Sequence, residues 1–285
     1  MKKTVFCLLA FCYVGHSFAQ LDSTALDKVF GKKGSIMGTV YKITFARSDL
    51  KVKVNDFAVS PGLALTSWIG IISMGNQAMM MGDLVLLDEE VAPVVSKLVA
   101  SNLSLTAMHN HLVNERPNIK YIHFSGSGDA LQLAASIKSV LSVTGTPLTA
   151  PVAQGQTINP DWSKVEGILG TTGKRIGQLL QYSFPRNEKL TESGMEMPPA
   201  IGMATAINFQ MEGDHAAMTG DFVLLADEVN PVIKALTANG IAVTAIHNHM
   251  LYDNPRLFML HFWAVNDPEK LANGLKAALK KTNSK

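Results

Sequence analysis

The sequence predicts an α+β protein written twice. Each half is expected to be a ββαββα antiparallel sheet with both helices on one face, resembling half of a ferredoxin-like fold, and the two halves are expected to pack as a pseudo-dimer. Three observations carry this prediction: an ungapped internal repeat, β-prone hairpins alternating with amphipathic helical stretches, and a linker-like segment between the copies.

The repeat is the strongest of the three. Residues 82–124, "GDLVLLDEEVAPVVSKLVASNLSLTAMHNHLVNERPNIKYIHF", align without a gap on 220–262, "GDFVLLADEVNPVIKALTANGIAVTAIHNHMLYDNPRLFMLHF", at an offset of 138 with 19 identities in 43 positions. Ten of the 24 differences exchange one apolar residue for another, so the copies should share a fold. Upstream, "LDKVFGKKG" (26–34) resembles "WSKVEGILG" (162–170), and Pro61 matches Pro199 at the same offset of 138. The stretch 142–161, rich in Thr, Pro, Gly and Gln without apolar periodicity, has linker composition. The halves are therefore placed at 21–141 and 162–281.

The second copy shows the elements most plainly. "GMATAINFQ" and "AAMTGDFVLL", separated by the turn signal Glu-Gly-Asp, read as a hairpin. "DEVNPVIKALTANG" reads as a helix with Asp227 as N-cap, Pro231 in the first turn, an apolar face of Val229, Val232, Ile233 and Leu236, and Gly240 as the stop. "IAVTAIHNHM" and "RLFMLHFWAV" read as strands joined through "LYDNP". "DPEKLANGLKAALKK" closes as a helix whose acidic start and basic end suit its dipole.

The N-terminus reads as a secretory signal: Lys2 and Lys3, the apolar run "TVFCLLAFCYVG", then Ser17 and Ala19 at the small-residue positions, with cleavage expected after Ala19. Cys7 and Cys12 both lie in that segment, so the mature chain has no cysteine and must rely on its core in an oxidising compartment. No later stretch is apolar for the roughly 18 residues that a membrane-spanning helix needs. A soluble periplasmic or secreted protein follows. Its formal charge of +2 includes Lys2 and Lys3, so the mature protein is near neutral, which argues against nucleic acid and anionic membrane as partners.

Histidine carries the functional signal. Besides His16 in the signal, six of the remaining seven fall at matching places, His109, His111 and His123 in the first copy and His247, His249 and His261 in the second. Strand residues two apart share a face about 6.5–7 Å apart. A register that pairs His247 with His261 and His249 with Met259 converges three imidazoles on one point, and the same arithmetic pairs His109 with His123. Three neutral imidazoles with an open fourth position suit an exchangeable or catalytic metal, so one zinc or copper site is expected per repeat. Fourth groups are Asp221 and His215, with Asp83 and Gln77 as first-copy counterparts, which makes the second copy the better equipped.

Alternatives stand beside this reading. A metal-activated water would perform hydrolysis with Asp221 or His215 as general base. A metal-free module would bind a small ligand or envelope polymer through Trp263, Tyr252 and Phe258. A histidine-rich strand face can also be a solvated sheet surface. Of the fourteen methionines, Met79 to Met81 and Met108 and Met250 beside the histidine pairs would suit copper as thioethers, although filling core gaps is their commoner role. "HNH" here is not the nuclease ββα finger. No serine nucleophile motif, phosphate loop or dinucleotide fingerprint is present.

The duplicated "GD(L/F)VLL", the acidic helix start, "HNH(L/M)", the following proline and the closing "HF" resemble the LppY/LpqO family of secreted bacterial proteins and lipoproteins. The resemblance spans nearly the whole mature chain and implies export and a shared fold, but no particular chemistry. Gln20 stands where the lipoprotein members carry a lipidation cysteine, so no membrane anchor is expected.

Overall fold

The computed structural model describes residues 21–149 and 159–285. The expected signal segment, with both cysteines, and the middle of the expected linker lie outside the described residues.

The first repeat runs α1 (Ser23–Phe30), β1 (Ser35–Met37), β2 (Val40–Ala46), β3 (Val52–Val54), β4 (Phe57–Val59), α2 (Pro61–Ala64), β5 (Thr66–Met74), β6 (Gln77–Leu87), α3 (Asp88–Ala100), β7 (Ser104–His109), β8 (Glu115–Arg116), β9 (Ile119–Gly128) and α4 (Ala130–Leu141). The second repeats the plan with α5 (Ser163–Leu169), β10 (Lys174–Ile176), β11 (Leu179–Pro185), β12 (Thr191–Glu192), β13 (Met195–Glu196), a 3-10 turn at Pro199–Ile201, β14 (Ala204–Glu212), β15 (His215–Leu224), α6 (Ala226–Ala238), β16 (Ala242–His247), β17 (Asp253–Asn254), β18 (Phe258–Asn266) and α7 (Pro268–Leu279). Each repeat is an α+β unit with an antiparallel six-stranded sheet, ordered β1-β2-β5-β6-β9-β7 and β10-β11-β14-β15-β18-β16. The ββαββα unit read from sequence forms four of the six strands. Two further strands at one side of each sheet (β1 and β2, β10 and β11) and two of the three strands of an arm (β4-β3-β8 and β13-β12-β17) come from segments where the repeat is weaker, whereas β8 and β17 lie within the strongly repeated stretch.

Period-two patterning decides which way each strand faces. On β6 and β9, Ala78, Met80, Leu84, Leu86, Ile122 and Phe124 point toward α1, α3 and α4 and join one core with Phe30, Leu98 and Ile137. The intervening residues form the other face, and that face is also buried. Met79 and Met81 pack with Met203, Val223, Met250 and Met259 of the second repeat. Val85 and Tyr121 join a further cluster with Ala217 and Trp263. The two sheets therefore stack face to face with helices outside, a four-layer arrangement. Central strands buried on both sides explain the nearly unbroken apolar run "AMMMGDLVLL". The methionines of the shared core fill the gap between the sheets.

Pseudo-twofold bonds tie the halves. Thr106 Oγ1 donates to the His249 carbonyl at 2.6 Å, and Thr244 Oγ1 to the His111 carbonyl at 2.7 Å. Lys42 Nζ donates to the Ala200 carbonyl at 2.9 Å, matched by Gln181 Nε2 on the Gly62 carbonyl at 3.1 Å.

Helix α6 starts differently from the sequence reading. Leu225, not Asp227, is the N-cap, and Glu228 reaches back to accept from the Leu225 N–H at 2.8 Å. Leucine offers no side-chain acceptor, so only the glutamate half of a capping box operates. Pro231 accordingly sits in the second turn. Glu228 is held there by a buried arginine: Arg186 donates to Glu228 at 2.6 Å, to Glu188 at 2.9 Å and to the Val223 carbonyl at 2.8 Å. Arg47 does the same with Glu90, Asp49 and the Val85 carbonyl, its side chain fully buried. Each arginine pins a helix N-terminus to a central strand.

Removing Glu90 strips Arg47 of a close partner and Leu87 N–H of its acceptor. Breaking a buried ion pair costs about 3–5 kcal/mol. Glu90→Ala should lower unfolding free energy by that order in urea titration, whereas Glu269→Ala, which breaks only the exposed pair with Lys164, should leave the midpoint nearly unchanged.

Candidate metal centre

The inner sheet faces bring all six paired histidines to one place. Asp83 on β6 sits across the ladder from His123 on β9, and Asp221 on β15 across from His261 on β18. His109 and His247 end the edge strands β7 and β16, and His111 and His249 follow in the loops. Because the sheets stack, the rings of one repeat lie on those of the other. Ring centroids are 3.5 Å apart for His109 and His247, 3.7 Å for His111 and His261, and 3.8 Å for His123 and His249.

This differs from the expectation of one site per repeat. Asp221, His247, His249 and His261 place their ligand atoms within 4.8 Å of one another, as a second-copy site would, but His109 and His111 group with His261, and His109 and His123 with His247. Face-to-face stacking about the pseudo-twofold merges the two sites into one shared cluster. Both aspartates belong to it: Asp83 Oδ2 is 3.6 Å from His111 Nε2 and 3.8 Å from His123 Nε2, and Asp221 Oδ2 is 2.9 Å from His249 Nε2.

The strand register also differs from the sequence reading. His247 pairs with Met259, and Ala245, not His247, with His261; in the first repeat His109 pairs with Tyr121 and Ala107 with His123. The connection between these strands is not a tight hairpin, since β17 pairs with β12 and β8 with β3, so no turn fixes the register. A slip of two residues preserves the strand face, which is why the imidazoles still converge. The bulge lies at Thr106 and Thr244, where the ladders shift between Leu105 and Ala107 and between Val243 and Ala245. It turns each threonine toward the opposite repeat's histidine loop. Gly82 and Gly220, each just before its aspartate, let the neighbouring strand approach closely, because an added Cβ would collide with the Trp68 carbonyl in one repeat and the Ala206 carbonyl in the other.

His215 stays outside the cluster. It starts β15, six residues from Asp221 on an unbulged ladder, which at about 3.4 Å per residue puts it roughly 20 Å away. It is exposed and lines a different cleft, of about 590 Å³, with Asn55, Asp56, Phe57, Glu212 and Trp263. Trp263, Tyr252 and Phe258 do not share a surface. Trp263 packs edge-on to Phe57 at 6.0 Å, Tyr252 is exposed in the loop before β17, and Phe258 has the opposite strand parity.

Burial sets the protonation of the cluster. It pushes His111 and His123 far below the ordinary imidazole range, and neighbouring imidazoles push the same way. Burial, then His249 and His261, lower His247 to about 3 against the opposing pull of Asp221. His261 is lowered by burial, offset by Asp221 and by its bond to the Gly220 carbonyl. Burial and the Asp221 charge raise Asp83 well above the carboxylate range. Burial would raise Asp221 too, but His261 and His249 outweigh it and hold it at about 2.

His261 Nδ1–H donates to the Gly220 carbonyl at 2.8 Å and His247 Nδ1–H to the Asn248 carbonyl at 3.2 Å, which fixes their tautomers and leaves Nε2 with its lone pair. Among the described residues, Nε2 of all six histidines and Nδ1 of His109 are buried with no hydrogen-bond partner, as are Oδ1 of Asp83 and of Asp221. His249 Nε2 lies 2.9 Å from Asp221 Oδ2, a contact that helps to hold the carboxylate in its charged form. Neutral imidazoles with inward lone pairs, beside carboxylates, are the donor set for zinc, copper, iron or nickel. The sequence reading did not single out Thr106 and Thr244. Their identity at the offset of 138 is the signal that marks them.

Fold and site together define a duplicated α+β protein whose repeats enclose one histidine–carboxylate cluster. The family model described as Domain of Unknown Function (DUF1259) matches the chain twice, over residues 24–143 and 163–281, and the chain belongs to that family. No curated protein matches it. Among solved structures it is similar to the ligand-free regulatory subunit of aspartate kinase from Thermus thermophilus, at 12% identity over 72% of this chain and 93% of that one, with a TM-score of 0.20. It is similar also to EtuB from Clostridium kluyveri, at 11% identity over 87% and 88%, TM-score 0.20. The trimeric bacterial microcompartment shell protein PduB gives 11% over 87% and 89%, TM-score 0.21. Likenesses this weak carry no argument.

The protonation pattern gives a pH dependence. The folded pKa values of His111, His123, His247 and His261 lie below the unfolded value of about 6.5, so the unfolded chain binds more protons in acid, and stability present above pH 6.5 is lost as pH falls toward the folded value, about 3 for His247. Asp221, depressed to about 2, acts in the same sense at lower pH, and Asp83 opposes both. Urea unfolding in chelator should show stability falling between pH 6.5 and 4 with a slope approaching roughly 1.4 kcal/mol per pH unit for each buried neutral histidine. The variant with His247, His249 and His261 changed to Ala should show a shallower slope.

Proposed function

We propose that the protein binds a transition metal, zinc or copper, in the histidine–carboxylate cluster between its two sheets. The observation that carries this reading is the set of buried imidazole nitrogens without hydrogen-bond partners. Buried polar groups are almost always paired, and a concentrated exception calls for an ion. His261 supports the reading further, because its Nδ1 bond to the Gly220 carbonyl is the outer-shell contact a metal-bound imidazole needs. The signal-like N-terminus and the LppY/LpqO resemblance support an exported soluble location.

Hydrolysis by a metal-activated water is the second reading, and its general base would be Asp221. The favouring observation is that Asp221 and His111 each keep 18% of the side chain exposed, so water reaches that edge of the cluster. His215 is too distant to serve.

Metal analysis of the purified protein after loading with zinc or copper, followed by desalting, tests the main reading. At least one equivalent per chain is expected, with thermal stabilisation that grows with free metal, about 4 kcal/mol at a thousand times Kd. The variant with His247, His249 and His261 changed to Ala should lose both. Less than a tenth of an equivalent in the unaltered chain overturns the proposal.

A further inference from the structure

His109 differs from every other imidazole in the cluster. Both its ring nitrogens are buried without a hydrogen-bond partner, whereas its pseudo-twofold mate His247 has Nδ1 committed to the Asn248 carbonyl. A structural metal-ligating histidine spends its second nitrogen on a carbonyl or carboxylate. His109 spends neither.

Its position is central as well. Its ring centroid lies 4.9 Å from that of His111, 5.0 Å from those of His123 and His261, and 3.5 Å from that of His247. It belongs to two ligand groups that share no other residue, one with His111 and His261 and one with His123 and His247. Each group draws on both repeats. Each also has a carboxylate beside it: Asp83 Oδ2 lies 3.6 Å from His111 and 3.8 Å from His123, and Asp221 Oδ1 3.8 Å from His261. Oδ1 of both aspartates is unpartnered.

We infer that the cluster holds two metal ions bridged by the His109 ring, one on His111 and His261 and the other on His123 and His247, with Asp83 and Asp221 completing the two sites. This inference rests on the proposed metal binding and adds the number of ions and the bridge. Neutral His109 carries one N–H. As the second ion binds, that N–H bond breaks, a second nitrogen–metal bond forms, and the proton leaves to solvent; no oxidation state changes. The negative charge of the bridging ring and two carboxylates offsets most of the charge of two divalent ions in a buried site, as a low-dielectric interior requires.

Copper(II) titrated into the metal-free full chain, read by metal analysis and by electron paramagnetic resonance spin counting, tests this. Two equivalents per chain are expected, with an integrated spin count well below two because an imidazolate bridge couples the ions. His111→Ala and His123→Ala should each bind one equivalent with a full single-ion signal, and His109→Gln, with its fold checked by circular dichroism, should lose the coupling. Two equivalents with a full count of two spins overturn the bridge, and this measurement on the unaltered chain does not depend on any variant folding. One equivalent overturns the pair while leaving the proposed metal binding intact. No bound copper or zinc overturns both.

Discussion

The structure depends on one conflict: two sheets are pressed together by apolar side chains around a centre made of imidazoles and carboxylates. Met79, Met81, Met203 and Met259 on one side, and Val85, Tyr121, Ala217 and Trp263 on the other, close the sandwich. Burial of this kind is worth about 25 cal/mol per Å² of apolar surface and has no preference for which polar groups are trapped. Each unsatisfied buried polar group costs about 1–3 kcal/mol. Seven such nitrogens rival the roughly 5–15 kcal/mol by which a whole domain is stable. The geometry that holds them inward therefore points to an occupant that accepts their lone pairs.

Everything else positions that centre. The buried arginines Arg47 and Arg186 lock the helix starts of α3 and α6 to β6 and β15, the strands that carry Asp83 and Asp221. Gly82 and Gly220, each just before an aspartate, allow an approach that a Cβ would block. Thr106 and Thr244 cross from one repeat to the other and hold the loops of His249 and His111. Duplication makes these contacts come in pairs, and the pseudo-twofold axis passes through the cluster, so a ligand set that looks like two sites in sequence becomes one in space. His109 and His247 show that the symmetry is imperfect where it matters for chemistry.

Much of this was legible in the residues. The tandem α+β plan, the antiparallel hairpin of β14 and β15, helix α7 with its acidic start, and the convergence of His247, His249, His261 and Asp221 all follow from local patterns of period two and 3.6. What failed did so for physical reasons. Asp227 is a good N-cap by type, but Arg186 holds Glu228 and so fixes the helix start two residues earlier. The β16–β18 register could not be inferred from turn length, because the intervening loop pairs with a separate arm. His215 shares strand parity with Asp221, yet parity does not convey the distance along the strand that separates them.

By itself the sequence determined the ββαββα elements of each repeat and placed its three histidines on one hairpin, since both depend on neighbours within a few residues. Tertiary structure alone decided that the two sheets stack face to face, that the triads merge across the pseudo-twofold, and that His109 is left with two free nitrogens. Those outcomes depend on contacts between residues about 138 positions apart, where a local pattern such as "HNH" reports the ligands on offer but not which copy they meet.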